Sequence, residues 1–514
     1  METEVKLLIQ PVDVDRLKGH PLFDTYASEK PREQQQSALY FDTPDLRIRR
    51  AHGHLRVRQA DGEWMQTLKA DVSALAGLHQ RQEWESPVDG PQPDLERLRE
   101  QVGEQAPWQE LLHAFEPQEL RPLFTTHVTR TLWTLRLPQN DEVQITLDQG
   151  TLECAGQSVP ISELELELRS GRAECLFDLA LMLLETLPLR LDSRSKPDQG
   201  YALLAPEPPL AVKAQPVDLT PEMHLEYAFQ LILRNCLSQI QANEQGVAHD
   251  QAPESLHQMR VGLRRLRSAL RLFEKIMPCP EELQEALTGL ATELGKARDW
   301  DVLVGSTLPR VARVTQNAPA VSAIRLVASD KAQRCHEATS AALRAPHYSQ
   351  LMLSFGAWLE GAGWRLSPRT DTQQLDKPLA KFAKQQLRQA QKRLLARGKG
   401  LKKAGPAARH RVRIAAKRLR YATEFFQALY PKKPMRAYIQ ALSRLQDVLG
   451  RLNDIAVATD LLDDLQDEYS QLLESTCFVK GCLGTLQKNE GGKLRKRWRQ
   501  FRERDLPRHQ NSSG

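Results

Sequence analysis

No run of eighteen or more apolar residues occurs in the 514-residue chain, which excludes a helix of the length that a bilayer span requires. Mean hydropathy is −0.50 and 26% of residues are charged, while the 41% that are hydrophobic suffice for folded cores. Disorder as the main state is thereby excluded, and the length predicts more than one domain. The seven cysteines, Cys154, Cys175, Cys236, Cys279, Cys335, Cys477 and Cys482, contain no CxxC spacing. An odd, scattered set argues against a disulfide framework and against a structural zinc site, so a reducing cytoplasm is the expected compartment. The opening METEVKLLIQ has two acids in four residues and no basic-then-apolar stretch, so no secretory leader is expected.

A net charge of +6 conceals halves of opposite sign. Residues 1–205 hold 22 Lys+Arg and 34 Asp+Glu, a balance of −12; the remainder holds 49 and 31, a balance of +18. An acidic half suits metal cations or a solvated surface, and a basic half suits a polyanion such as nucleic acid, polyphosphate or an anionic membrane. The change falls at PEPPLAVKAQPVDLTPE, residues 206–222, whose prolines predict an extended linker.

Before that linker, apolar residues alternate as half-buried strands require. Period two sets Glu2, Glu4 and Lys6 against Val5, Leu7 and Ile9, Arg56 and Arg58 against Leu55 and Val57, and Glu163, Glu165 and Glu167 against Leu164, Leu166 and Leu168. Other strands carry Lys69, Arg81 with Glu83 and Glu85, Arg130, and Asp148. A one-sided antiparallel sheet would place such faces in water. The charges, however, are sorted by strand, acids on one and arginines on another. A closed barrel with a polar interior explains the sorting, since gathered carboxylates bind hard cations and gathered guanidiniums bind phosphate oxygens. A triphosphate carried with a divalent metal needs both.

Here the residues carry a resemblance. Glu2-Thr3-Glu4-Val5-Lys6 resembles the ExExK signature of the CYTH superfamily, the triphosphate tunnel metalloenzymes. Tyr40-Phe41-Asp42-Thr43, Leu55-Arg56-Val57-Arg58, Thr67-Leu68-Lys69, Arg81-Gln82-Glu83-Trp84-Glu85, Asp148-Gln149-Gly150, the Glu163–Glu167 run, and Ser195-Lys196 with Tyr201 resemble its other motifs in order. The resemblance spans residues 1–205 and implies a metal site at Glu2, Glu4, Glu163 and Glu165, with Glu167 either a third ligand of that run or a rim residue. Asp148 and Glu85 would join the metal and water network. Lys6, Arg56, Arg58, Lys69, Arg81, Arg130 and Lys196 would bind the triphosphate. Catalysis would rest on Glu2, Glu4, Lys6, Glu85 and Asp148, with Mg2+ or Mn2+ on bridging oxygens and a second ion or a glutamate activating water. His52, His54, His79 and His127 read as surface or core residues rather than catalysts, because no nucleophile or carboxylate partner stands out for them.

After residue 220 the period becomes 3.6. Leu256, Met259, Leu263, Leu266, Leu270 and Phe273 form an apolar face; His257, Arg260, Arg264, Arg267 and Arg271 form a cationic stripe, with Arg265 beside it. The pattern returns 153 residues later as His410, Arg413, Lys417, Arg418 and Arg420. LGKARDWDV (294–302) likewise returns as LGRLNDIAV (449–457), pairing Asp299 with Asp454. Such offsets predict a duplicated helical bundle with both stripes facing one groove. Residues 377–423 contain 16 Lys+Arg and no acid. Aromatic residues for base stacking are sparse in the stripes, Tyr421 lying nearest, so specific nucleic-acid readout is not expected.

This half is similar to the CHAD domain over residues 217–505, with His257 and His410 as its name-giving histidines. The resemblance implies polyphosphate binding by His257, Arg260, Arg264, Arg265, Arg267, His410, Arg413, Lys417, Arg418 and Arg420. The tail after residue 490 either extends that groove or is disordered. The expected fold is α+β: a closed antiparallel β-barrel (1–205), the linker (206–222), an all-α duplicated domain (217–505, repeats about 223–375 and 376–505) and a polar tail (506–514). The order of domains resembles that of inorganic triphosphatases, implying hydrolysis of inorganic triphosphate and binding of inorganic polyphosphate. Organic triphosphates as substrates, or a polyphosphate-targeting protein with little turnover, are the alternatives.

Overall fold

The computed structural model describes residues 2–105, 107–116, 119–192, 194–205, 210–249, 252–315, 318–401 and 405–507. By internal packing the chain divides into two compact units, residues 1–208 with 344–363, and residues 209–343 with 364–514. No helix among the described residues is long and apolar enough to cross a membrane.

The first unit is a closed antiparallel barrel. Its strands are β1 (Glu2–Leu8), β2 (Arg32–Asp42), β3 (Gly53–Ala60), β4 (Glu63–Leu75), β5 (Leu78–Val88), β6 (Arg121–Arg136), β7 (Glu142–Cys154) and β8 (Gln157–Ser170). They neighbour one another in the order β5-β4-β3-β2-β6-β7-β8-β1, and β1 closes the circle on β5 with Glu2 opposite Arg81. On its other edge β1 sets Glu4 opposite Glu167 and Lys6 opposite Glu165. The two-residue strand β9 (Arg190–Leu191) adds to the end of β1. Where β6 and β7 cross, a Cβ on Gly150 would lie 1.9 Å from the His127 carbonyl oxygen, so only glycine permits the approach.

The alternation seen in sequence is here turned inside out relative to an ordinary core. Apolar faces point outward, under helices. Leu55, Val57, Leu68 and Trp84 are covered by Leu95, Leu98 and Val102 of the helix Leu95–Val102 and by Trp108 and Leu112 of the helix Trp108–His113. Each such fully buried side chain contributes about 1.5–3 kcal/mol, which is what allows the opposite, charged face to be enclosed. The Tyr40–Thr43 turn is structural. Asp42, fully buried, accepts from the backbone N–H groups of Thr43 (2.7 Å), Ile48 (2.9 Å) and Arg49 (3.0 Å), and from the Tyr201 hydroxyl (2.8 Å).

One element of this unit comes from far along the chain. The helix Pro346–Glu360 packs on the helix Glu174–Leu184, and Ser349 Oγ accepts from the Leu191 N–H at 2.9 Å. Periodicity alone assigns these residues to the first helical repeat, because an apolar helix does not state which surface it covers.

In the second unit the duplication is literal. Helices Pro253–Phe273 and Pro406–Phe426 have equal length, each with proline in its first turn, where the missing N–H costs nothing. Each leads to a long partner helix, Glu281–Val302 and Lys432–Glu468. The equivalent residues Phe273 and Phe426 meet edge-on with centroids 6.4 Å apart. Residues 210–219, expected as an extended linker, are extended but docked: Asn243 exchanges hydrogen bonds with the Val212 backbone (2.8 and 2.9 Å), Asn235 donates to the Gln215 carbonyl, and Val217 and Leu219 are buried. Residues 206–209 of that linker and 508–514 of the tail lie outside the described residues. The basic stretch before the tail is ordered in the helix Leu473–Arg502, anchored by buried Trp498 and Phe501.

The packing of the inserted helix is testable. A Cβ on Gly356 would lie 2.3 Å from Phe177 and 2.9 Å from Ala76. Gly356→Val is therefore expected to destabilise the barrel unit by about 1–3 kcal/mol, read as lost hydrogen-exchange protection of the strands; unaltered strand protection would contradict the packing.

Candidate active site and basic groove

Inside the barrel the charged faces meet across a cavity of about 280 Å3. Glu2, Glu4, Glu165 and Glu167 line it together with Arg56, Arg58, Lys69, Arg81, Arg130 and Lys196. Lys6, Asp148 and Glu163 stand behind this wall, each almost fully buried. Asp148, Glu163 and Glu165 present carboxylate oxygens within 4.8 Å of one another. The Lys196 ammonium lies among all three, 2.6 Å from Asp148, 3.0 Å from Glu165 and against Glu163. Its place is set by a capping box: Ser195 Oγ accepts from the Asp198 N–H and Asp198 from the Ser195 N–H, starting the helix Lys196–Leu204 at this residue.

Arg130 grips Asp148 with two bonds, Nε to Oδ1 at 2.8 Å and Nη2 to Oδ2 at 2.6 Å, and reaches Glu165 at 3.4 Å. Lys6 pairs with Glu163 at 2.5 Å. Burial opposes ionisation of Asp148 and Glu165, but Lys196 and Arg130 outweigh it and hold both carboxyls below their ordinary values. Burial pushes Glu163 up, partly offset by Lys196 and Lys6.

Nearer the other strands, Lys69 binds Glu2 (2.6 Å) and Glu83 (3.1 Å), Arg81 binds Glu4, and Arg58 and Thr67 hold Glu85 at 3.1 and 2.8 Å. Burial raises Glu4, with Glu165 and Glu2 adding to the effect. Burial, opposed by Arg169 and reinforced by Glu2 and Glu4, pushes Glu167 up to about 7. Carboxyls that repel one another in a buried site are the donor set that a hard cation fits. Arg56 supplies the opposite feature, a buried Nε beside the cavity with no hydrogen-bond partner among the described residues. His54 and His79 are buried; desolvation and then Arg81 hold both imidazoles low, His79 at about 3, which leaves them poor bases at neutral pH. His52 and His127 are exposed.

In the second unit the two stripes converge. Arg260, Arg264, Arg413 and Lys417 share one field with Arg298, Asp299 and Asp454. The Nε atoms of Arg264 and Arg413 are buried without hydrogen-bond partners among the described residues. Burial and the adjacent Arg264, Arg413 and Arg260 push the Lys417 ammonium down to about 6, and burial with Arg298 pushes His257 down to about 4.

Residues 1–201 match the CYTH domain family and residues 231–463 match the CHAD domain family. The chain is a CYTH domain followed by a CHAD domain. It is similar to an inorganic triphosphatase of Haemophilus influenzae, 34% identical over 172 residues, which cover 32% of this chain and 44% of that relative's length. It is also similar to the crystal structure of the CHAD domain from the plant Ricinus communis, with 40% identity and a TM-score of 0.54, covering 59% of this chain and 99% of that one.

Most expected CYTH residues are brought to one place, but in two layers, with Lys6, Asp148 and Glu163 behind the cavity and Glu165 and Glu167 facing it. Glu83 is not singled out in sequence, although it stands in the same motif as Arg81 and Glu85. In the CHAD domain, Arg265 lies apart from the groove: it is buried, donates to Gln239 (2.9 Å) and Asn235 (2.7 Å), and stacks over Phe425. Arg420 is bound to Glu424 at 2.6 Å. Arg267 and Arg418 both lie near Arg271, and His410 is exposed. Arg298, inside the LGKARDWDV element, belongs to the groove field and is missed by stripe spacing because it stands on another helix.

Glu167 gives a direct check. Its folded-state carboxyl keeps a proton that the unfolded chain has lost, so its contribution is present below pH of about 4.5 and lost as pH rises through about 7. Glu167→Gln should therefore gain stability relative to the parent between pH 5 and pH 8, measured by denaturant midpoints; an equal difference at both pH values would contradict this environment.

Proposed function

We propose that the CYTH tunnel hydrolyses inorganic triphosphate with Mg2+ or Mn2+, and that the CHAD groove binds inorganic polyphosphate. The observation that carries this reading is one cavity inside the barrel lined by mutually repelling carboxylates and by guanidiniums. The seven free cysteines fit a reducing compartment such as the cytoplasm.

Arg56, lacking a partner at Nε, would take phosphate oxygens first, and Arg58, Lys69, Arg81, Arg130 and Lys196 would follow by exchanging carboxylates for phosphates. That exchange frees Glu2, Glu4, Glu165 and Glu167 to hold a cation. A divalent ion there would neutralise bridging oxygens and lower the pKa of a water. Asp148 keeps Arg130 oriented, and Glu163 pairs from behind the wall with Lys6 and Lys196. In the CHAD groove, Arg264 and Arg413 offer guanidinium forks to successive phosphates, and a bound polyanion would restore the proton that Lys417 holds weakly.

Phosphate release from tripolyphosphate with Mg2+ should fall on the order of 10²- to 10³-fold in Glu4→Gln, with polyphosphate affinity unchanged. Replacing Arg260, Arg264, Arg413 and Lys417 by Ala should instead weaken long-chain polyphosphate and flatten the salt dependence of its binding. Equal phosphate release from parent and Glu4→Gln would remove the catalytic reading, and an unaltered salt slope would remove the groove.

A further inference from the structure

The CHAD unit contains a second cavity, of about 780 Å3, where the helices Leu379–Arg397 and Leu473–Arg502 end. It shares no residue with the basic groove. Its floor is hydrocarbon, made by Leu395, Leu401 and the indole of Trp498. The indole is fixed, since it lies against bare backbone: a Cβ on Gly398 would sit 2.0 Å from the ring. Gly400, at φ +80°, turns the chain past the opening with no atom near its missing side chain.

The rim is wholly cationic. Lys399, Arg495, Lys496, Arg499 and Arg502 are exposed around the mouth, and among the described residues none of them has an ion-pair partner. An apolar hollow of this size on a soluble surface marks a binding site, and five unpaired cations select an anionic ligand. A polyphosphate chain would satisfy the rim and leave the floor wet. A neutral lipid would satisfy the floor and leave the rim unused.

We propose that this cavity binds a single-chain amphiphile with a phosphate head, its alkyl or acyl tail on Trp498, Leu395 and Leu401 and its phosphate among the rim arginines. Arginine forks match phosphate oxygens, and the tail supplies the apolar contact that inorganic phosphate lacks. The site makes no use of the triphosphate tunnel, so it stands whether or not hydrolysis does.

Calorimetric titration of the full chain with alkyl phosphates of eight, ten and twelve carbons, below their micelle concentrations, tests the proposal. One site is expected, with affinity rising about fourfold per added methylene until the cavity is filled. The exposed double variant Arg495→Glu/Arg499→Glu should weaken binding tenfold or more while long-chain polyphosphate still binds the groove. Chain-length-independent binding, displacement by equimolar tripolyphosphate, or equal binding of dodecyl maltoside would overturn it. Binding to phosphatidylglycerol vesicles without binding of the monomeric alkyl phosphates would likewise overturn it and point to a membrane surface instead.

Discussion

Everything in the CYTH barrel depends on opposite charges being gathered together inside one barrel. Removing one partner of such a pair leaves an uncompensated charge at a cost of about 3–5 kcal/mol, so the ligand-free tunnel must neutralise itself. It does so by pairing across elements: Lys196 and Arg130 on Asp148 and Glu165, Lys6 on Glu163, Lys69 on Glu2 and Glu83, Arg81 on Glu4. Barrel closure between β1 and β5 is what brings Glu4 to Arg81. The outward apolar faces and their covering helices hold that closure.

Two departures from full neutrality give the tunnel its chemistry. Arg56 has an unsatisfied buried Nε, and Glu4 and Glu167 hold their protons more tightly than free carboxylates do. Under the proposed function a triphosphate would relieve the first and a divalent cation the second. The CHAD groove is the contrasting case, in which like charges from the two repeats are pressed together and, among the described residues, Asp299, Asp454 and Glu254 oppose them. Burial and that crowding push the Lys417 ammonium and the His257 imidazolium down, and under the proposed function a bound polyanion would reverse the shift. Paired charge and surplus charge of one sign would suit the two ligands proposed, a short triphosphate with its metal and a long uniform chain.

Much of this was legible in the sequence because period and charge sorting are local. Alternation exposed the strands, and charges of one sign on one strand argued for an enclosed interior. The 153-residue offset reappears as two basic helices with matching ends and equivalent phenylalanines in contact. What the sequence could not state is which partner each group finds. Arg265 reads as part of a cationic stripe, yet it turns to Asn235, Gln239 and Phe425. Glu163, Glu165 and Glu167 look equivalent, yet barrel depth places the first behind the cavity wall and the other two on it. The helix Pro346–Glu360 reads as one more helix of the bundle, because the surface it covers, Phe177 and Ala76, lies far away in sequence. Residues 210–219 read as a linker, since docking through Asn235 and Asn243 leaves no periodic trace.

Charge exchange within one cavity implies that anion and cation bind cooperatively, each relieving what the other leaves unpaired. Titration of the full chain with a methylene-bridged, non-hydrolysable triphosphate analogue, with and without Mg2+ and corrected for their association in solution, measures that coupling directly. The structure predicts at least tenfold tighter analogue binding with Mg2+, and the same factor for Mg2+ with analogue. Independent binding of the two, or competition between them, would contradict a shared tunnel site.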